Sequence, residues 1–300
     1  MTTRECFRSG FIGIVGRPNV GKSTLLNAIL GEKIAITTPK PQTTRNRIMG
    51  IKNLPNGQLI FVDTPGIHEA KNPLGQAMVA EARAVFSSVD VIVITVEAHR
   101  GLVAGDKAII KAAEEASLPL VLALNKKDLA SPEQMREMIA RASELTPFSH
   151  VFPICAVTGE GVEELIETIK NLLPEGPAFF PPDMITDRSE RFLAAEIIRE
   201  KVMLYTHQEL PYSTAVTVET FQEDEQRNLI TIEATITVER PSQKKIIIGA
   251  GGALLKKIGT LARLELEKFF ATRVFLSLFV RVRRDWTREE KWIKEFGYKT

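Results

Sequence analysis

Gly16-Arg17-Pro18-Asn19-Val20-Gly21-Lys22-Ser23 is the stretch whose reading decides the fold. It fits G-x-x-x-x-G-K-[ST], and its flanks have the character that pattern needs. The apolar run Phe11-Ile12-Gly13-Ile14-Val15 reads as a buried strand, and Thr24-Leu25-Leu26-Asn27-Ala28-Ile29-Leu30 as the start of a helix. Strand, glycine-rich turn and helix together form a phosphate cradle, the P-loop. Glycine at 16 and 21 lets the backbone curl with successive N–H groups inward, a path that a β-carbon would obstruct. The following helix adds its free amino-terminal N–H groups and the positive end of its dipole. Lys22 is placed to reach the β- and γ-phosphates, and the Ser23 hydroxyl to ligate the magnesium between them. The predicted nucleotide-binding set therefore starts with Gly16, Arg17, Pro18, Asn19, Val20, Gly21, Lys22, Ser23 and Thr24.

Composition sets the frame for this motif. Three hundred residues, 44% hydrophobic and 25% charged, are ordinary for soluble globular protein and enough for about two domains. A net charge of +2 says little about partners until its distribution is known. Cys6 and Cys155 lie far apart without metal spacing and read as reduced thiols. The start MTTRECFRSG has no apolar signal region or amphipathic presequence, and no apolar run reaches the roughly 18 residues of a membrane span. A cytoplasmic bacterial protein is expected.

Beyond the first helix, Thr37-Thr38-Pro39-Lys40-Pro41-Gln42-Thr43-Thr44-Arg45 is polar and broken by proline, unsuited to a helix or a central strand. In a nucleotide switch this is where a threonine closes over the γ-phosphate and magnesium. A second buried strand, Gln58 to Val62, delivers Asp63-Thr64-Pro65-Gly66. Asp63 has the position of a carboxylate that holds magnesium through water, and Gly66 offers an unshielded N–H to sense the γ-phosphate. The next residue is Ile67, where Ras-like proteins carry a glutamine that orients the attacking water. An apolar side chain cannot do that, so slow intrinsic hydrolysis is expected. Lys22, Thr44 and Gly66 form the predicted catalytic set, and Ser23, Thr44 and Asp63 the metal set.

The strand ending at Leu124 runs into Asn125-Lys126-Lys127-Asp128. Asp128 can accept two hydrogen bonds from guanine N1 and N2; adenine offers no such pair, which argues against an ATPase. Asn125 is expected to brace the loop, and the Lys126 stem to lie over the base. Another strand gives Cys155-Ala156-Val157, where the Ala156 N–H is expected at the guanine carbonyl oxygen. Strands alternating with helices imply a doubly wound α/β sheet of the P-loop NTPase kind over residues 1–173, with every nucleotide segment at a carboxyl strand end.

Pro174-Glu175-Gly176-Pro177-Ala178-Phe179-Phe180-Pro181-Pro182-Asp183 has four prolines in ten residues and reads as a stiff connector within a linker over 174–187. Residues 188–300 then follow a different plan, helix, two strands, two helices and a strand. The turn between the two helices, Gly249-Ala250-Gly251-Gly252, is the G-x-x-G of a KH module, a loop bare enough to press on four nucleotides of RNA backbone. From Arg240 to Arg273 there are eight basic residues (Arg240, Lys244, Lys245, Lys256, Lys257, Arg263, Lys268, Arg273) and two acidic ones (Glu265, Glu267). Such an excess attracts phosphates. The predicted RNA set is Lys244, Lys245, Ile248, Gly249, Ala250, Gly251, Gly252, Lys256, Lys257, Arg281 and Arg283. Trp286 is a candidate base platform, although packing in the core is the favoured reading for it and for Trp292. No histidine has a metal-ligand partner at the right spacing, so no metal beyond magnesium is expected.

With both halves read, the segments GRPNVGKS, KPQTTR, DTPG, NKKD, SQKKIIIG with GAGG, and LFVRVRRDW resemble the Era family of bacterial GTPases joined to a type II KH domain. The resemblance covers nearly the whole chain. It implies GTP hydrolysis to GDP coupled to binding of 16S ribosomal RNA near its 3′ end, assembly of the small ribosomal subunit, and peripheral association with the cell membrane; a monomer is expected. It also implies Thr44 as the magnesium threonine, with Thr43 adjacent as the alternative, and Asn19 as a residue that helps hold a potassium ion beside the phosphates. Two positions depart from the family, Cys155 where serine is usual and Ala250 where lysine is common, the latter removing a phosphate contact. A second functional reading is an RNA-binding assembly protein whose nucleotide is structural and whose turnover is incidental.

Overall fold

The computed structural model describes residues 6–70 and 72–298, so the first five residues of the amino-terminal stretch inspected for a targeting signal lie outside it. By contact the chain falls into two units. The first comprises 1–35, 44–70 and 78–187, and the second 36–43, 71–77 and 188–300.

The first unit is built on a six-stranded sheet. Its strands are β1 (Arg8–Val15), β2 (Ile48–Leu54), β3 (Gly57–Asp63), β4 (Val91–Glu97), β5 (Leu120–Asn125) and β6 (His150–Pro153), in the order β2-β3-β1-β4-β5-β6. All pairs are parallel except β2 with β3, an antiparallel hairpin turned by Pro55 and Asn56. β3, β4 and β5 are buried along their whole lengths, which is why they read as unbroken apolar runs. Helices α1 (Lys22–Leu30), α3 (Ala104–Glu114) and α4 (Pro132–Leu145) connect strands and α5 (Val162–Leu172) follows the last one, while α2 (Pro73–Ala84) begins among residues grouped with the second unit. Because β3 and β4 flank β1 on opposite sides, the loops after β1, β3, β4 and β5 converge at one edge of the sheet, where such folds bind ligands.

The proline-rich segment is not a free spacer. Its backbone is laid along the first unit: Ser9 N donates to Pro174 O, Gly176 N to Phe7 O, and Ile51 N to Ile185 O. Buried Gln58 grips it, with Oε1 accepting from Phe179 N and Phe180 N while Nε2 donates to Phe180 O. Proline keeps the segment extended; the bonds to strand edges and Gln58 keep it attached.

The second unit has the helix and strand order expected from sequence. Helix α6 (Glu190–Tyr205) precedes β7 (Ala215–Asp224) and β8 (Leu229–Val238), then come α7 (Pro241–Ile248), α8 (Ala253–Phe270) and β9 (Arg273–Val282). A short helix, α9 (Glu290–Glu295), follows in the tail. The sheet runs β7-β8-β9, antiparallel then parallel, and β8 pairs with β9 from Leu229↔Arg273 to Val238↔Val282. Its core is formed by Ile198, Val202, Ile232, Ile236, Ile258, Ala262 and Leu266.

Candidate nucleotide site and nucleic-acid interface

The P-loop follows from the crowding around its glycines. Gly21 has φ +99° and Gly16 φ +156°. A β-carbon on Gly21 would sit 2.2 Å from Asn125 Nδ2, and one on Gly16 would sit 2.4 Å from Thr95 O. The sequence suggested that a β-carbon here would obstruct the curl of the backbone, and the obstacles are Asn125 at the end of β5 and Thr95 of β4. Lys22 is buried and its Nζ donates to Gly16 O at 3.2 Å and Arg17 O at 2.9 Å, spanning the loop it serves. Burial pulls its pKa down to about 8, with Asp63 opposing that shift.

Three oxygen-bearing side chains meet at the head of α1. Ser23 Oγ lies 2.6 Å from Thr44 Oγ1 and donates to Asp63 Oδ2 at 2.6 Å, and Thr44 Oγ1 is 3.5 Å from the same carboxylate oxygen. Asp63 Oδ1 is buried without a hydrogen-bond partner. Burial raises the Asp63 carboxyl to about 6, while Lys22 and the hydroxyls pull the other way. A dry carboxylate with one bare oxygen, beside two hydroxyls, is a donor set suited to a small hard cation. Thr43 is directed elsewhere, its hydroxyl 2.7 Å from Thr38 Oγ1 and donating to Lys40 O at 2.7 Å. Gly66 packs so closely over the P-loop that a β-carbon would lie 2.5 Å from Pro18 N. Ile67 N donates to Gly16 O at 3.1 Å, and the Ile67 side chain packs on the core.

The base-reading loop is tied to the P-loop. Asn125 Nδ2 donates to Val20 O at 2.8 Å, and its Oδ1 accepts from Ala156 N at 3.0 Å. The Ala156 amide, expected at a guanine oxygen, is thus engaged by the bracing asparagine. Neighbouring Cys155 is buried, Val157 is exposed, and Thr64 Oγ1 donates back to Ile14 O at 2.9 Å. Lys126, in the left-handed region at φ +60°, donates to Asn19 O at 3.0 Å and is paired with Glu97. Lys127 is paired with Glu160, and Asp128 stands exposed. The sequence reading missed Glu97 and Asp106. Both are buried, and both hold Arg17, Asp106 through a 2.7 Å bond and Glu97 at 3.8 Å. Their only sequence signal is position, Glu97 at the carboxyl end of β4 and Asp106 in the first turn of α3.

In the second unit the G-x-x-G turn has Gly249, Gly251 and Gly252 all at positive φ, with Ala250 exposed between them. A groove of about 390 Å3 opens beside it, lined by Gly252 of the turn, by Lys256, Gly259 and Arg263 of α8, and by Leu276 and Leu278 of β9. The predicted RNA residues do not all gather there. Lys244, Lys245 and Ile248 lie on α7, Lys257 stacks over Tyr205 at 4.3 Å, and Arg283 over Trp292 at 3.8 Å. Arg281 is on the other face of β9, away from the core. Trp286 is fully buried and donates to Ser213 O at 2.9 Å, so it is a core residue.

These two sites coincide with two known patterns. Residues 11–126 match the family of 50S ribosome-binding GTPases, and residues 209–287 match the KH domain. The chain is 58% identical over 292 residues to the GTPase Era of Syntrophus aciditrophicus, covering 97% of this chain and 95% of that protein. It is 54% identical to the GTPase Era of Geobacter metallireducens, covering 97% and 98%. Among solved structures it is similar to Aquifex aeolicus Era bound to GDP.AlF4-, with TM-score 0.95, 41% identity, and 98% and 100% of the two chains covered. An Era complex with MgGDPNP and nucleotides 1506–1542 of 16S ribosomal RNA gives TM-score 0.94 at the same identity and coverage. A P-loop with its oxygen cluster, a guanine-type N-K-x-D loop, a KH groove and full-length relatives at this identity lead to one assignment: the chain belongs to the Era family of GTPases.

Proposed function

We propose that this GTPase couples hydrolysis of GTP to GDP to its grip on 16S ribosomal RNA near the 3′ end, and acts in assembly and maturation of the small ribosomal subunit. The observation that carries the reading is the Thr43–Thr44 junction. The Thr44 hydroxyl joins Ser23 and Asp63, while residues up to Thr43 group with the KH unit, where buried Arg199 donates to Thr43 O. A change at the last phosphate that moves Thr44 therefore pulls directly on a segment bonded to α6.

Lys22 would neutralise the β- and γ-phosphates, and the P-loop N–H groups would orient them. Ser23, Thr44 and Asp63 would hold magnesium, which when bound neutralises charge on the phosphate oxygens. Ile67 cannot orient water, so the rate rests on positioning and charge. Potassium held near Asn19 is proposed as the counterpart of an arginine finger. Asp128 would read guanine from its exposed position. The RNA groove uses Lys256 and Arg263, and Ala250 contributes no charge.

The protein is proposed as a cytoplasmic monomer. Peripheral attachment to the membrane belongs to the proposal on family grounds alone; no helix among the described residues is long and apolar enough to cross a bilayer. Single-turnover GTP hydrolysis by Thr44→Ala and Thr43→Ala tests the reading. The first is expected to fall by on the order of tenfold or more, because it removes a hydroxyl from the charge-bearing cluster. The second is expected to stay within about twofold of wild type, because Thr43 bonds only within its own loop and to α6. Equal losses would contradict the assignment.

A further inference from the structure

Among the described residues β9 is an edge strand, bonded to β8 and to no other strand. Its side chains divide between two surfaces. Val274, Leu276, Leu278, Val280 and Val282 pack on the core of the second unit, and Leu276 with Leu278 also lines the G-x-x-G groove. The alternate positions carry Phe275, Ser277, Phe279 and Arg281, with Arg273 at the start of the strand. Phe275 is 57% exposed and Phe279 56% exposed, and both arginines are exposed. Edge strands are usually guarded by charge, proline or a covering element, so two phenyl rings left mostly in water on one need an explanation.

The charge on this face points to the occupant. β9 contains no acidic residue. Glu267 of α8 accepts from Val274 N at 3.2 Å through an oxygen that also takes Arg263, and the carboxylate opposite the strand by register, Glu233 across from Ser277, accepts through Oε2 from Thr220 Oγ1 at 2.9 Å, towards β7. What remains is aromatic and cationic, the combination that binds single-stranded nucleic acid by stacking bases on rings and pairing phosphates with guanidinium groups.

We propose that the outer face of β9, through Phe275, Phe279 and Arg281, is a second RNA-contact surface on which bases lying outside the G-x-x-G groove stack. This rests on the RNA-binding reading above. A G-x-x-G loop clamps about four nucleotides. The similar Era complex carries nucleotides 1506–1542, most of which must lie beyond one such groove. Groove and outer face are the two sides of a single strand with no strand beyond it, so RNA leaving the groove can turn round that edge onto the rings. The rings are four residues apart on the strand, about 13 Å, so each takes its own base.

The test measures full-length protein binding to two labelled RNAs by fluorescence anisotropy at fixed salt. One is a short single strand that only the groove can hold; the other spans nucleotides 1506–1542. Phe275→Ala/Phe279→Ala is expected to weaken the long RNA by about tenfold or more and to leave the short one within about twofold. Phe279→Leu, which keeps apolar bulk but no ring, should move in the same direction. Arg281→Ala should lower the salt slope for the long RNA by about one. Unchanged melting temperature and GTP binding show that the variants are folded. Wild-type affinity of the double variant for the long RNA would overturn the proposal, as would equal weakening of both RNAs. A wild-type dimer broken by the double variant with RNA binding intact would assign the face to self-association instead, and loss of binding only to anionic vesicles would assign it to a membrane surface. If wild type binds neither RNA, the RNA reading itself fails.

Discussion

Glu97 has a side chain only 5% exposed and three cations around it: Lys126, Arg17 at 3.8 Å and Arg100 at 3.4 Å. Lys126 in turn donates to Asn19 O, so one buried carboxylate links the base-reading loop to the P-loop. Glu97→Gln keeps the shape and removes the charge, freeing Lys126 to leave Asn19. It should raise the dissociation rate of fluorescent GDP about tenfold, with Glu97→Asp intermediate, as stopped-flow displacement would show. Asp63 gives a prediction in pH. Its folded-state carboxyl is held at about 6 against an ordinary 3.8, mainly by burial. The native state therefore keeps its proton longer than the unfolded chain, and this contribution to stability is present below about pH 4 and lost as pH rises through 6. In nucleotide-free protein, Asp63→Asn should gain about 2 kcal/mol on wild type between pH 4 and 6 in urea unfolding. The nucleotide motifs were legible because a phosphate cradle fixes residue spacing along the chain. Glu97 was not, because Arg17 and Lys126 come from two other loops and only Arg100 is near it in sequence, and the groups that crowd Gly16 and Gly21 could not be named because Thr95 and Asn125 are far away in sequence.

At the scale of elements, the clearest difference from sequence expectation is the proline-rich connector. Four prolines signalled extension, but nothing in residues 174–183 signals Gln58, which lies on β3 and is fully buried. Gln58→Ala would strand Phe179 N, Phe180 N and Phe180 O at once. It should cost about 2–3 kcal/mol in urea denaturation of the full chain, with little change in GTP affinity at saturating magnesium. Wild-type stability would show that the segment is held by its prolines alone. Helix α4 had a readable start that the sequence analysis passed over: Ser131 Oγ accepts from Gln134 N, and Gln134 Oε1 from Ser131 N. Helix α2 begins at Pro73, in the first turn of a helix, where a missing N–H costs nothing. The second unit was more legible, because alternating strands and a turn with three glycines in four residues leave few other readings. The face of β9 was not, since Phe275 and Phe279 look like core residues until the register places them on the outer side.

For the whole molecule, the grouping of residues matters more than the boundary of domains. A division at the prolines would assign 36–43 to the nucleotide half, yet these residues group with 188–300. Within that unit Thr37 N donates to Glu200 Oε1 at 2.9 Å, Lys40 is bonded to the Met203 and Thr206 carbonyls at the end of α6, and Arg199, braced by Glu196, holds Thr43 O. A cation at the last carbonyls of a helix is favourably placed. No local sequence signal gives these bonds, because they join residues more than 150 positions apart. One peptide separates this anchored segment from Thr44 in the oxygen cluster, and a nucleotide can alter RNA binding only by favouring one arrangement of such a junction. The most direct measurement is the affinity of the full-length protein for an RNA from the 3′ end of 16S ribosomal RNA, compared between a non-hydrolysable GTP analogue and GDP at equal magnesium. The account predicts at least about fivefold tighter binding with the analogue; equal affinities in the two states would contradict it.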